Sequence, residues 1–164
     1  MILKATLNDI DDILLLINNV ILSFKELNID QWQNGYPNYD IIKNDIELQR
    51  AYIYKDKIII GYFVLQKEIE STYNNIYYGN WLNDKEYYCI HRLAILNDYK
   101  RLGVASNIIN YCIDLAKLNN KDIRVDTHKD NYLMANLLLK YNFIYCGVII
   151  LLDNSSRDAY HLVI

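Results

Sequence analysis

The residues best equipped for chemistry stand in one run, Tyr87 to Ile113, which reads YYCIHRLAILNDYKRLGVASNIINYCI. Its centre, Lys100-Arg101-Leu102-Gly103-Val104-Ala105-Ser106, joins two basic side chains to a glycine where a polar turn, Asn97-Asp98-Tyr99, gives way to an amphipathic stretch. A helix starting there offers the N–H groups of its first turn and the positive end of its dipole. Both favour an anion such as phosphate. Neither Gly-x-Gly-x-x-Gly nor Gly-x-x-x-x-Gly-Lys-[Ser/Thr] occurs, which speaks against an unrelated nucleotide-binding α/β domain. Upstream, Cys89 and His91 share a face of the preceding strand by its two-residue period. An imidazole, with an unperturbed pKa of about 6.5, suits a base near neutral pH.

The elements that must position these residues follow from periodicity. Ile2–Ala5 reads as a strand, and Asn8 or Asp9 caps a helix to about Phe24, with Ile10, Ile13, Leu14, Ile17, Val20 and Ile21 on its buried face. Asn28–Asp40, with Gly35 and the only proline, Pro37, reads as a loop, and Asp40 caps a short helix, Ile41–Leu48. Ala51–Tyr54 and Ile58–Gln66 form a hairpin, with Gly61 marking a bulge or a close approach. The polar stretch Glu68–Asp84 is a loop. After the strand Tyr87–Leu96 comes a helix, Val104–Leu118, burying Val104, Ile108, Ile109, Cys112 and Ala116 and stopping at Asn119-Asn120. Asp122–Thr127 is a strand parallel to the one before that helix. Asn131–Tyr141 is a helix, and Phe143–Leu152 and Tyr160–Ile164 are antiparallel strands around Asp153–Arg157. The order β-α-α-β-β-β-α-β-α-β-β describes an α+β fold, a mixed, mostly antiparallel central sheet with flanking helices, in a single domain over 1–164.

Composition narrows the function. A hydrophobic share of 52% excludes a disordered chain, and a net charge of −3 argues against nucleic acid as a partner. Three cysteines without metal-ligand spacing argue against disulfides and a zinc site, and suit the cytoplasm. The N-terminus lacks a signal-peptide pattern, and no stretch approaches the ~18 apolar residues of a membrane span. The abundance of Ile, Asn, Lys and Tyr resembles the coding bias of an AT-rich genome, so single Tyr and Asn residues carry little weight here.

With this order and this turn, nearly the whole chain resembles the GNAT superfamily of acyl-CoA-dependent N-acetyltransferases, in a bacterial branch. That superfamily's loop, [Gln/Arg]-x-x-Gly-x-[Gly/Ala], is matched by Lys100-Arg101-Leu102-Gly103-Val104-Ala105, with Lys in the first position. Asp126-Thr127-His128, Asn131, Met134 and Phe143 are similar to the following strand and helix of bacterial members. Gln31-Trp32 and Gly35-Tyr36-Pro37 are similar to a loop between the first two helices. The resemblance implies acetyl-CoA as co-substrate and no metal. Backbone N–H groups of Leu102 to Ser106 would face the pyrophosphate, with Gly103 and Ala105 keeping the loop thin and Lys100 and Arg101 adding charge. Asn131 and Met134 would lie along the pantetheine arm.

Acyl transfer from a thioester to an amine needs the amine neutral, and its pKa resembles that of lysine, ~10.4. His91 is the first candidate for the base, with Cys89 a poorer one. The resemblance places the oxyanion donor on the central strand near its bulge, within Leu93, Ala94 and Ile95. The acid is where the chain departs. Many members carry a Tyr where this chain has Leu138, and a glycine where it has Asn142. Tyr141 is the nearest substitute, ahead of Tyr132 and Cys146; otherwise water protonates the thiolate or it leaves unassisted. Trp32 and Tyr36 would form an aromatic wall for the acceptor, a small-molecule or peptide amine. Arg92, facing away from His91, reads as structural, as does His128, and His161 has no evident partner. Two rival readings stand beside the enzyme: a non-catalytic acyl-CoA-binding module of the same fold, and an interaction domain. In the latter, strands such as Val148–Leu152 would pair two copies into a homodimer.

Overall fold

The structure is a computed structural model that describes residues 1–67 and 69–164. Glu68, which opens the expected loop Glu68–Asp84, lies outside the described residues. Seven strands and four helices follow the expected order: β1 (Ile2–Lys4), α1 (Ile10–Glu26), α2 (Tyr39–Glu47), β2 (Ala51–Lys55), β3 (Ile59–Gln66), β4 (Tyr87–Ile95), α3 (Val104–Leu118), β5 (Asp122–Thr127), α4 (Tyr132–Lys140), β6 (Ile144–Ile150) and β7 (Ser156–Leu162). Among the described residues the strands form a mostly antiparallel, seven-stranded sheet in the order β1-β2-β3-β4-β5-β7-β6. The chain divides into two compact units, Met1–Leu65 with His91–Ile108, and Gln66–Ile90 with Ile109–Ile164.

In the first unit, β1 and β3 flank β2 in antiparallel pairing. The α1 stripe buries Ile10, Ile13, Leu16, Ile17, Val20 and Phe24 against α2 and strands β2 and β3. Each such side chain contributes about 1.5–3 kcal/mol relative to exposure. Leu16 takes the place expected for Leu14, which with Ile21 is only partly buried. The start of α1 differs from expectation too. A single 3-10 turn, Leu7–Asp9, precedes it, and the Asp9 carboxylate turns back to accept the Thr6 N–H and O–H at 2.8 and 2.7 Å. Helix α2 starts at Tyr39, capped by Asn38, whose Oδ1 accepts the Ile41 N–H at 3.1 Å; Asp40 sits inside its first turn. Gly61 marks a close approach. A Cβ there would stand 3.1 Å from Tyr54 Cβ and 3.3 Å from Ile108 Cδ1, so the glycine lets the start of α3 settle onto β3. The bulge lies beside it on β3: Tyr54 pairs with Gly61 and Lys55 with Ile59, which leaves Ile60 as the extra residue.

In the second unit, the first half of β4 pairs in parallel with β5, from Tyr87↔Asp122 to Ile90↔Val125. β7 pairs antiparallel with β5 on one side and β6 on the other. It begins at Ser156, four residues ahead of the expected Tyr160. Pairs Thr127↔Asp158 and Ile150↔Ser156 recruit polar residues that strand propensity would leave in the turn. Ser71–Asn74 forms a 3-10 turn inside the stretch expected as loop, and Tyr73 there is buried, its hydroxyl donating to Asp126 Oδ1 at 2.7 Å. Tyr77 bridges Val148 through two 2.8 Å bonds, so part of the β6 edge expected to be open is already paired.

His161 has partners after all. It is fully buried, its Nδ1 accepts the Leu82 N–H at 3.2 Å, and its Nε2 lies 3.1 Å from Asp122 Oδ2. Nδ1 accepts a hydrogen bond, so Nε2 must carry the ring proton and donate to Asp122. Asp122 also accepts from Asn83 Nδ2 at 2.8 Å and from the Ile164 N–H at 3.0 Å. The partners are far apart in sequence, which is why spacing missed them. No helix among the described residues is long and apolar enough to cross a membrane.

Candidate functional site

The first unit gathers Trp32, Tyr36, His91, Leu93, Ala94, Ile95 and the run Lys100–Ser106. The loop after β4 opens with a single 3-10 turn, Asn97–Tyr99, tied to α1 where the Asn97 N–H donates to Asn19 Oδ1 at 3.1 Å. Lys100 is extended, and its Nζ donates to Ser23 Oγ on α1 at 3.1 Å. Burial lowers its pKa. Arg101 and Gly103 then take left-handed conformations, with φ of 64° and 84°. Left-handed residues within a turn curl successive N–H groups into a concave anion seat. The Gly103 carbonyl accepts the Asn107 N–H at 2.9 Å, which makes Gly103 the first residue to accept a helical bond in α3. Val104, Ala105 and Ser106 follow as its first turn, whose N–H groups must find partners outside the helix.

Gly103 is the position that tests whether a phosphate-bearing group fits. Its φ excludes most L side chains, and a Cβ built on it would meet nothing within 4 Å. The space over the helix start is open, and the backbone under it is thin. These residues fit the pyrophosphate of an acyl-CoA through their backbone. Lys100, expected to add charge there, has its ammonium on Ser23.

The strand before the loop has a kink that strand alternation does not anticipate. Arg92, between His91 and Leu93, has φ 52°. A left-handed non-glycine residue in a strand costs of order 1–3 kcal/mol, and persists where the surroundings over-determine it. Here the guanidinium does so. It donates to the Tyr36 hydroxyl and, at 2.8 Å, to Asp45 Oδ1. Asp45 is fully buried and also accepts from Arg50 Nε at 2.9 Å and the Tyr62 hydroxyl at 3.2 Å. Burial works against the Arg92 charge, but Tyr36 and Asp45 outweigh it and raise the pKa further. Burial and Asp45 push the Tyr62 phenol far up, so it remains a donor. Sequence reading reached the structural role of Arg92 but missed Asp45, Arg50 and Tyr62; an arginine inside an apolar strand was the available signal.

His91 is half-buried, as is Leu93, while Ala94 and Ile95 are buried. Trp32, expected as a wall of the acceptor pocket, is a buried member of the core, edge-on to Phe24 at 5.6 Å. Tyr36 is partly buried against the same core, so the loop's exposed face rests on Tyr36 more than on Trp32.

The second unit carries Asn131, Met134 and Tyr141. Asn131 is buried and caps α4, its Oδ1 accepting the Met134 N–H at 3.2 Å. Leu138, at the position where a Tyr acid is expected, is a fully buried core residue. Asn142, in place of glycine, takes φ 62°, a left-handed conformation that Asn tolerates at a helix end. Tyr141 is half-buried, with Lys140 Nζ 5.6 Å from its ring centre. Tyr132 is exposed, and Cys146 is a buried thiol whose pKa burial raises, a poor proton donor. His128 accepts the Asp130 N–H at 3.2 Å through Nδ1. No cluster of three or more His, Cys, Asp or Glu that could hold a metal ion occurs among the described residues.

No curated protein matches the chain in sequence. Among solved structures, a GNAT-family acetyltransferase from Streptococcus agalactiae 2603 superposes with a TM-score of 0.90 at 33% identity, over 100% of this chain and 95% of its own. A GNAT-family acetyltransferase from Listeria monocytogenes 4b F2365 gives 0.73 at 17% identity, over 99% and 94%. A NatC complex bound to Gag peptide and CoA gives 0.71 at 16%, over 100% and 98%. The last two bear on the fold alone. A sequence model of the acetyltransferase (GNAT) family matches residues 21–143, a span that includes the β4 kink, the Gly103 loop and α4. With its loop at the start of α3, its sheet order and a relative at 33% identity over its full length, the chain belongs to the acetyltransferase (GNAT) family.

Proposed function

We propose that the protein is an acetyl-CoA-dependent N-acetyltransferase that moves an acetyl group to a primary amine of a small molecule or peptide, by direct attack in a ternary complex. The observation that carries this reading is Gly103, left-handed and open above the first turn of α3, in the loop that follows β4. Acetyl-CoA, when bound, supplies a thioester activated toward amines. Backbone N–H groups of Leu102, Gly103, Val104, Ala105 and Ser106 hold its pyrophosphate, Arg101 adds charge nearby while Lys100 ties the loop to Ser23, and Asn131 and Met134 flank the pantetheine arm. His91 takes the proton of the attacking amine, directly or through one water. A backbone N–H within Leu93, Ala94 and Ile95 steadies the developing oxyanion. Tyr141, or water in its place, returns a proton to the departing thiolate. Tyr36, with Trp32 anchoring the loop behind it, faces the acceptor.

In this reading residues 1–164 act as one domain, in the cytoplasm. Cys89, Cys112 and Cys146 support that setting as buried thiols without a disulfide. A homodimer along β6 would have to use the edge that Tyr77 leaves open, beyond Val148. A non-catalytic acyl-CoA-binding module is the second reading, favoured by the buried Leu138 where an acid is expected. Thermal stability with acetyl-CoA, CoA and ATP tests both readings. At 100 times Kd, acetyl-CoA should add about 2.7 kcal/mol, and no stabilisation would remove both. A thiol-release assay across amines, polyamines, aminoglycosides and peptides then separates them, since only the enzyme releases CoA with an amine.

A further inference from the structure

We infer that Arg92 is a positioning residue that locks the acceptor loop to the kinked strand carrying the reacting groups. The inference rests on the acetyltransferase reading above. Three observations meet at this side chain. Its backbone is left-handed in mid-strand, between His91 and Leu93, so the direction of the His91 side chain and of the following N–H groups depends on that conformation holding. Its guanidinium reaches the Tyr36 hydroxyl in the loop between α1 and α2, with the guanidinium carbon 5.8 Å from the Tyr36 ring centre. Its other arm is fixed by Asp45 of α2 at 2.8 Å, and that carboxylate is itself fully buried and held by Arg50 and Tyr62. A planar fork can hold two acceptors at fixed angles, which a lysine ammonium cannot reproduce. Ile29 and Trp32 in the core and Gln33, whose Nε2 donates to the Ile21 carbonyl at 3.1 Å, hold the loop to α1, and Tyr36 on Arg92 ties it to the strand. Loosening the tie to the strand frees the acceptor side while leaving the Gly103 loop, with its own ties to Asn19 and Ser23, in place.

The test uses Tyr36→Phe, which removes only the hydroxyl, with Arg92→Lys and Arg92→Gly. Glycine accepts the left-handed backbone but has no guanidinium. Steady-state kinetics use acetyl-CoA and the amine from the thiol-release panel with the highest turnover. The expected result is an amine KM raised at least fivefold in all three variants, kcat lowered about tenfold in the two Arg92 variants, and an acetyl-CoA KM within twofold of wild type. An Arg92→Gly enzyme with wild-type constants, or two KM values that rise together, overturns the inference. Should the Arg92 variants fail to fold, Tyr36→Phe decides alone. A second readout is independent of activity. The chain has two tryptophans, so a Trp81→Phe background leaves Trp32 as the only reporter of the loop. Tyr36→Phe should at least double acrylamide quenching of Trp32; unchanged quenching overturns the anchor. A wild-type protein that acetyl-CoA does not stabilise refutes the acetyltransferase reading instead, and the quenching result then judges the Tyr36 anchor by itself.

Discussion

Gly103 and Gly35 make a matched pair for testing the cofactor site. Their φ values are 84° and 82°, and a Cβ on either would meet nothing within 4 Å. Alanine at each position therefore carries the same backbone penalty, roughly 1 kcal/mol, without a clash. For a chain of this size that corresponds to a loss of about 2–4 °C in Tm for each variant. The two differ in what the added methyl intrudes upon. At Gly103 it enters the space over the first turn of α3, and a tenfold loss of affinity for acetyl-CoA is expected. At a concentration of 100 times the wild-type Kd, ligand stabilisation should fall from about 2.7 to about 1.4 kcal/mol in Gly103→Ala. In Gly35→Ala it should stay near 2.7 kcal/mol. Thermal unfolding with and without acetyl-CoA reads both quantities in one experiment. Equal ligand stabilisation in the two variants would refute the placement of the pyrophosphate over Gly103, whatever the Tm losses.

His91→Ala should lower kcat/KM roughly 10²-fold and remove the acidic limb of the pH–rate profile, the limb along which the enzyme's own base becomes protonated; an unaltered profile would assign the base elsewhere. Tyr141→Phe should lower kcat by no more than about tenfold, because a thiolate with a pKa near ~8.5 leaves at modest cost near neutral pH, and a loss of 10³-fold would contradict that account. The His161–Asp122 pair predicts acid sensitivity. Burial, with Arg124 nearby, holds His161 below its ordinary pKa, so the unfolded chain binds the extra proton and stability falls as pH drops through about 6.5. Burial would raise Asp122, but donors from Ile164, Asn83 and His161 hold it low, adding a second loss as pH falls below about 3.9. Tm measured from pH 8 to pH 5 should show the first fall, and His161→Gln should flatten it; an identical slope in the variant would sink the assignment.

Periodicity made most of the fold legible. The expected α3 face, Val104, Ile108, Ile109, Cys112 and Ala116, is buried at every position. The parallel pairing of β4 with β5 followed from a strand, helix and strand in succession. What periodicity could not supply was structure made by residues distant in sequence. Asp122 and His161 lie 39 positions apart, Tyr36 and Arg92 56 apart, and neither pair leaves a local signature. Asparagine was underweighted for a related reason. With only five glycines in the chain, Asn28, Asn120, Asn142 and Asn154 take left-handed conformations at turns and helix ends, so the apparent compositional excess includes residues with backbone work to do.

The strand itself departs most from simple alternation. Alternation from His91 puts Arg92 on the opposite face and would carry the pattern onward to Ile95. Burial does not mark the break, because the strand buries both faces on either side of it, Tyr88, Cys89 and Ile90 before and Ala94 and Ile95 after. The break shows only in the backbone, at the left-handed Arg92. The proposed base precedes the kink and the proposed oxyanion donors follow it, so their mutual geometry is set by one backbone conformation and by the contacts that hold it. Those contacts come from Asp45 on α2 and Tyr36 in the loop, two elements that a reading of the strand leaves out. The Lys100–Ser106 run was legible because a helix start advertises its N–H groups locally. The chemistry beside it was less so, because a kink of one residue depends on a network assembled only when the first unit folds.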